Sequence, residues 1–442
     1  MKKEDDDVNR RLLLAVAAAL ALMVSASGMA AETTLRMMTY GGPEQIYYLD
    51  LIKAGFEAAN PGYKLEYEIA AFGEYIDKVL VNYAAGTSPD VFLTWAQYKS
   101  QGAEEGIILD VTDRIARSQV IRLENFYPVI EQNLSYNGRL WGTPWGFNGK
   151  LYIANVDLLN ERGLAVPDLA WTVGDFADYA RKITRPEEQV FAITTPPIRA
   201  AGGETIQWFK NWAGHAWVSE DGRTVLVDSN EAVELVEFWR DLVLDFHIAP
   251  SGEYTRRPGA SFLVTGDVAF EEQWSTITSQ MARLIEQEGR LPVNWEFVTY
   301  PAAPRGQKHF AQGHLWTIPA NHPDPDKAWT LLEWLGSKEA DMIWSASQRT
   351  PPTMPDPDHW AAFVGGLPAE HRDKALRFII DVLYIGEYAE NFEYWPTYGE
   401  MSEIMGQQMV AVFSGQVPPQ AAMSEARRLM QNVLDEYWAS RE

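Results

Sequence analysis

The chain of 442 residues contains no cysteine. Thiol nucleophiles, disulfides and thiolate metal sites are therefore excluded, and so is membrane attachment through an acylated cysteine. Familiar catalytic signatures are missing too: there is no P-loop, no Gly-x-Ser-x-Gly, no His-Glu-x-x-His and no dinucleotide-binding glycine pattern. The seven histidines are scattered, and the spacing of His309 and His314 matches no common ligand set, so neither a metal nor a cofactor is expected. Positive charge is scarce. Lys and Arg number 37 against 61 Asp and Glu, a formal net charge of −24. Such a surface repels nucleic acid and anionic lipid, and its plainest consequence is solubility. No Lys/Arg cluster announces a pocket for a polyanion, and no internal repeat or low-complexity tract is present.

Long apolar runs are also lacking. The run from Leu12 to Val24 is shorter than the roughly 20 residues of a membrane helix. It follows Arg10-Arg11 and gives way to small residues ending in Gly28-Met29-Ala30. That is the pattern of a cleavable export signal over residues 1–30, with an uncleaved anchor as the lesser alternative. The paired arginines leave the Sec and twin-arginine routes both open, and Glu4-Asp5-Asp6-Asp7 is unusual for either. Removing Lys2, Lys3, Arg10 and Arg11 together with Glu4 to Asp7 leaves the net charge unchanged.

What is present is a globular composition, 46% hydrophobic and 12% aromatic, with length for two or three domains. The 17 tryptophans exceed what core packing alone usually calls for, which points to recognition.

The stretch from Leu35 to Trp95 reads strand, helix, strand, helix, strand. Leu35–Tyr40 is a short apolar run stopped by Gly41-Gly42-Pro43. Ile46, Leu49, Ile52, Phe56 and Ala59 recur at helical spacing as far as Asn60-Pro61-Gly62. Leu65, Tyr67 and Ile69 alternate with charged residues, as on a half-buried strand. Tyr75, Ile76, Val79, Leu80 and Tyr83 mark a second helix closed by Gly86, and Val91-Phe92-Leu93 a third strand. Crossovers of this size make an open, mostly parallel sheet whose ligand-facing loops follow the strand carboxyl ends. Tyr40, Gly41 and Glu44 after the first strand, and Trp95 and Gln97 after the third, are therefore candidate binding residues.

Phe56-Glu57-Ala58-Ala59-Asn60-Pro61-Gly62, followed by Ala84-Ala85-Gly86-Thr87-Ser88-Pro89-Asp90-Val91, resembles the extracellular solute-binding proteins of ABC sugar importers, the maltose-binding-protein-like family. Gly106–Asp113, Tyr136–Pro144 with its Asn-Gly turn, Gly266-Asp267-Val268-Ala269-Phe270 and Gly313–Pro319 extend the resemblance over nearly all the chain after residue 30. Phe270 stands where that family usually has methionine, and Glu271 and Glu272 where small residues are common. The resemblance implies an α/β fold of the type II periplasmic-binding-protein class, with two α/β lobes, a hinge of several crossings and the ligand cleft between the lobes. Crossings near 147, 302 and 347 would assign 31–147 and 303–346 to an N-terminal lobe. The remainder, 148–302 and 347–442, would form a C-terminal lobe.

Elsewhere Thr172 with Asp175 is a capping box, and Asp228-Ser229 opens another helix. The segment from Phe262 to Phe270 is expected as one strand, with Trp274 after its end. Pro351–Asp358, rich in proline and aspartate, is expected as a surface loop. Trp95, Trp145, Trp274, Trp316 and Trp395 fall at strand ends or crossings, and aromatic faces with polar neighbours suit the two-sided chemistry of a sugar ring. For each tryptophan alone, core packing competes with ligand contact. Glu272 is a candidate hydrogen-bonder, at most one of Glu271 and Glu272 entering a given site. The resemblance places a basic residue at the third crossing, where Arg349 could donate to vicinal hydroxyls or bridge the lobes.

Together with these residues, the resemblance implies a non-enzymatic, monomeric periplasmic protein that binds a mono- or oligosaccharide and delivers it to the permease of an ABC transporter. A polyol, a glycerol-phosphate-type ligand or a peptide on the same fold is the first alternative. A secreted glycoside hydrolase, which needs two carboxylates across a cleft, is the alternative of another class.

Overall fold

The computed structural model describes residues 32–199, 202–250, 265–385, 388–390 and 394–441; the export signal read over residues 1–30 lies outside them. The chain begins as its periodicity dictates. Strand β1 (Thr33–Tyr40) leads to a helix at Ile46–Ala59, strand β2 (Tyr63–Ala70), a helix at Phe72–Ala85 and strand β3 (Val91–Trp95). Gly86 caps the second helix at φ +67°, a conformation open to glycine without cost. Between the helices and β1 and β3, the buried Tyr75 donates its hydroxyl to the Leu93 carbonyl at 2.6 Å.

A small hairpin of β4 (Ser135–Tyr136) and β5 (Arg139–Leu140) turns on Asn137-Gly138, both at positive φ as a type I′ turn requires. There follow β6 (Thr143–Asn155), β7 (Phe191–Ile193), β8 (Val268–Trp274), β9 (Trp295–Val298), β10 (His309–Thr317) and β11 (Ala389–Glu390). Among the described residues nine strands join in one sheet along the path β2-β1-β3-β10-β6-β8-β7, with β9 on β6 and β11 on β10. The β2-β1-β3 side is parallel, as expected from the sequence. At its centre the sheet changes character: β10 runs antiparallel to both β3 and β6, with a register shift between His314 and Leu315.

The 13-residue strand β6 pairs with β10 through its first half and with β8 and β9 through its second. Its faces feed two separate hydrophobic cores. Phe147, Leu151 and Ile153 pack with Leu35, Leu49, Phe56, Leu93 and Trp334 in one, while Tyr152 and Ala154 pack with Phe176, Trp208, Trp239 and Phe270 in the other. This is the period-two geometry of a strand buried on both sides. The second core is closed by the C-terminal helices Tyr398–Phe413 and Pro419–Ala439, which contribute Met401, Met405, Met409, Met423 and Met430.

Two expectations fail. Pro351, Pro352, Thr353 and Met354 are buried, and a helix starts at Pro357, so 351–358 is not a surface loop. The Asp341 carboxylate draws the segment inward by accepting from the Thr353 amide, the Thr353 hydroxyl and His359 Nδ1. The strand expected from Phe262 starts only at Val268, because Gly266 lies at φ +70° and breaks the extended run; 262–264 lie outside the described residues. Trp274 is consequently the last residue of β8, not a residue beyond it.

Candidate functional site

Where β1, β3, β6, β8 and β10 converge, a cleft of about 390 Å³ opens. Tyr40 ends β1 and Trp95 ends β3, so the strand carboxyl ends deliver both rings to one mouth. The chain leaves β1 at Gly41, φ +145°, where a side chain would collide with that of Gln45. Phe72 starts the second helix and stacks on Trp95 at 5.5 Å and 17°, while Tyr40 meets Trp95 edge-on at 5.4 Å. Gln97, in the first turn of the helix Ala96–Glu104, donates to Gln312 of β10 at 2.8 Å.

Across the cleft, β6 contributes Trp145 and Asn148, and β8 contributes Trp274. Beyond Trp274 the helix Ile277–Glu288 begins, and its N-cap Thr276, with Ser279, Gln280 and Arg283, lines the cleft. Gln348 and Arg349 complete the lining from the segment after the helix Lys338–Ala346.

The buried polar groups are tuned by their surroundings. Tyr40 and His314 Nε2 are hydrogen-bonded at 3.0 Å. Burial pushes the Tyr40 phenol up to about 12 despite the nearby Arg349. Burial, then the Arg349 charge, pushes His314 down to about 3, so both groups are neutral at pH 7. Several polar atoms in the cleft wall are buried without a hydrogen-bond partner among the described residues: Gln97 Oε1, Trp145 Nε1, His314 Nδ1 and Arg349 Nε. Leaving such groups unpaired is costly, and each is recovered when a polar ligand supplies the partner.

Of the residues expected from sequence, Tyr40, Trp95, Gln97, Trp145, Trp274 and Arg349 come together in this lining. Gly41 shapes the turn behind it. The side chain of Glu44 lies outside the described residues. Three others stand elsewhere. Trp316 is wholly buried and stacks on Trp344 in the first core, because β10 is a central strand buried on both faces. Trp395 packs on Trp217 and Tyr398 in the second core. Glu272 sits behind the lining, accepting from Tyr300 and pairing with Lys150, whose ammonium also meets Glu204 at 3.0 Å. Burial raises the Glu272 pKa against the pull of Lys150. Lys150 Nζ lies 4.4 Å from the centre of the Trp274 ring and fixes it by a cation–π contact.

Sequence reasoning missed Asn148, Gln280, Arg283, Gln312, His314 and Gln348. Among these only His314, two residues from Trp316 on a strand legible in the sequence, carries a signal, and its spacing from His309 speaks to metal binding alone.

Residues 52–361 match the family model described as bacterial extracellular solute-binding protein. The chain belongs to that family. These are binding proteins, not enzymes. A binding protein of Brucella abortus is 21% identical over 426 residues, covering 93% of this chain and 96% of the relative. The ABC substrate-binding protein from Listeria monocytogenes, solved in complex with cycloalternan, superposes with a TM-score of 0.75 at 19% identity, covering 92% of this chain and 99% of the other. The sugar-binding protein MalE from Xanthomonas citri gives 0.74 at 18% identity, covering 93% and 100%. The fold of this solute-binding chain is therefore the two-lobed type II periplasmic-binding architecture.

Proposed function

We propose that this solute-binding protein is the exported receptor of an ABC importer, holding a carbohydrate in the cleft and presenting it to a membrane permease. The observation that carries this is the composition of the lining: the rings of Trp95, Trp145 and Trp274 stand with the amides of Gln97, Asn148, Gln280, Gln312 and Gln348. Aromatic faces match the C–H face of a pyranose, and amides donate to and accept from its hydroxyls. The relative solved with cycloalternan and the sugar-binding MalE of Xanthomonas citri support the same class of ligand.

Tyr40, Gly41, Glu44, Trp95, Gln97, Trp145, Trp274 and Arg349 are proposed as ligand contacts. The lobes are proposed as 31–147 with 303–346 and 148–302 with 347–442, hinged at the crossings near residues 147, 302 and 347. Residues 1–30 are proposed to direct export to the periplasm, where the protein acts as a monomer.

A thermal-shift screen against mono- and oligosaccharides, polyols and short peptides tests this, since a ligand binding only the folded state raises the melting temperature. Stabilisation by sugars is the expected result; stabilisation only by peptides would overturn it. Steady turnover of a reporter glycoside would instead favour a hydrolase.

A further inference from the structure

The cleft contains two guanidinium groups, Arg283 and Arg349, and among the described residues no carboxylate lines it. This runs against the composition of the chain, in which acidic residues outnumber basic ones 61 to 37. The sequence alone concealed it, because the two arginines are 66 positions apart and belong to no basic cluster. Geometry brings them together: Arg283 extends from the helix Ile277–Glu288, and Arg349 from the segment after Ser347.

Among the described residues neither arginine has a carboxylate partner, although exposed arginines elsewhere, such as Arg139 and Arg428, are paired. The nearby Lys150 shows the contrast. Its ammonium is held between Glu204 and Glu272 and has no charge to spare for a ligand. The Nε of Arg349 is buried without an acceptor, and the Arg349 charge acts on Tyr40 and His314, lowering both pKa values against or beside the effect of burial. An arginine keeps its charge at any physiological pH. An acidic protein with two such groups unpaired among the described residues of its cleft has a field there suited to an anion.

The rest of the lining is still that of a sugar site. Uncharged amides and tryptophans dominate, and the ring of Trp274 is the wall nearest Lys150. The helix carrying Arg283 also begins at Thr276 in the cleft, so its positive end adds to the guanidinium charge.

We propose that the ligand is an anionic carbohydrate, a sugar bearing a carboxylate or a phosphate ester, with the anionic group held by Arg349 and supported by Arg283 while the tryptophans and amides hold the ring. This rests on the carbohydrate reading of the cleft. A guanidinium presents two parallel N–H donors that match a carboxylate or phosphate edge, whereas a neutral sugar leaves the positive charge without a counterpart.

The test is calorimetric titration of the purified chain with galacturonate, digalacturonate and glucose 6-phosphate, and with neutral galactose and maltose, at 50 and 500 mM salt. An acidic sugar is expected to bind about ten- to hundredfold tighter than its neutral counterpart and to weaken at high salt. Tighter binding of the galacturonates identifies a carboxylate, and tighter binding of glucose 6-phosphate a phosphate ester. Arg349→Gln should remove about tenfold or more of that affinity while leaving the unliganded melting temperature unchanged, and the exposed Arg283→Gln should remove less. Neutral sugars binding as tightly as acidic ones, with Arg349→Gln weakening both equally, would overturn the anionic ligand and leave the carbohydrate cleft standing. No response to any sugar of either charge would overturn the carbohydrate reading itself, and this proposal with it.

Discussion

The hydroxyl of Tyr40 and Nε2 of His314 lie 3.0 Å apart, a hydrogen bond between residues 274 positions apart in the chain. It ties the end of β1 to β10 at the floor of the cleft. The imidazole is packed against Trp95 at 5.9 Å and Trp145 at 5.1 Å, so water has no access with which to solvate a charge there. Phenol and neutral imidazole share two protons, and their mutual bond uses one. The other is left to donate.

His314 and His309 together make stability depend on pH. His309 is buried with Nδ1 against the Lys150 carbonyl at 2.8 Å and Nε2 accepting from the Tyr300 amide at 3.0 Å. Burial pushes it down to about 4, and His314 to about 3. An unfolded histidine titrates near 6.5, so on acidification the unfolded chain takes up protons that the folded chain refuses. Their stabilisation is complete above about pH 6.5 and is lost as pH falls toward 4. Each histidine contributes a slope approaching ~1.4 kcal/mol per pH unit. Glu272, raised by burial, acts in the opposite sense, so the informative comparison is between variants. Urea unfolding at pH 7, 6 and 5 should show a shallower decline for His314→Gln than for the parent; equal slopes would mean that His314 is protonated in the folded state.

Gly146 and Thr350 set a second expectation. A methyl group on Gly146 would stand 1.6 Å from Thr350 Oγ1 and 2.5 Å from its Cβ, too close for a rotamer change to relieve. Thr350 is buried, so the collision is between β6 and the segment after Ser347. Gly146→Ala should destabilise the protein by about 1–3 kcal/mol, the range of overpacked cores. Adding Thr350→Gly removes the obstructing side chain and should restore part of the loss. Chemical denaturation of the single and double variants measures both; an unperturbed Gly146→Ala would show that the two segments are free to separate.

The parts of this fold legible in the sequence were those specified locally. Asn137-Gly138 wrote its own turn, Thr172 and Asp175 their capping box, and Gly86 its helix end, because each depends on neighbours a few residues away. Tyr40 and Trp95 were legible as site residues because parallel strands end at a common edge. Trp316 was not separable from Trp145, since both are aromatic residues on central strands and only the antiparallel register of β6 and β10 decides which one reaches the cleft. Arg283, Gln280 and Ser279 lie on an amphipathic helix like many others. Their site role follows only from where β8 aims that helix, which no local pattern records.

Trp274 is fixed from several sides, by Lys150 at 4.4 Å and Phe310 at 5.7 Å, and still lines the cleft. Trp274→Ala should therefore act on two observables. Losing a rigid aromatic wall should weaken ligand binding by about 2 kcal/mol, roughly thirtyfold. Losing the cation–π contact with Lys150 should lower unliganded stability by about 1 kcal/mol. Titration calorimetry and denaturation of the same variant separate the two effects. Intact affinity with a large stability loss would make the residue part of the second core alone.

Closure is the motion this architecture is suited to. Tyr40, Phe72, Trp95 and Gln97 approach the cleft from the first strands and their helices, while Trp274, Gln280 and Arg283 approach from β8 and the helix after it. Trp274 borders the second core, while the helix bearing Gln280 and Arg283 seats Ile277 and Met281 in the first, and β6 and β10 contribute side chains to both cores. A long strand bends at little cost where its register already shifts, as β10 does between His314 and Leu315, next to the Tyr40 contact. A ligand that touches both sides binds the closed form better than the open one and shifts the population toward it. Small-angle scattering should then give a smaller radius of gyration at saturating ligand than without it. The stacked Trp95 and Phe72 and the half-buried Trp274 should report the same change as a shift in intrinsic fluorescence, with the same midpoint. A fluorescence change without any change in radius would mean that ligand enters a cleft already closed, and that β6 and β10 act as a rigid floor, not as a hinge.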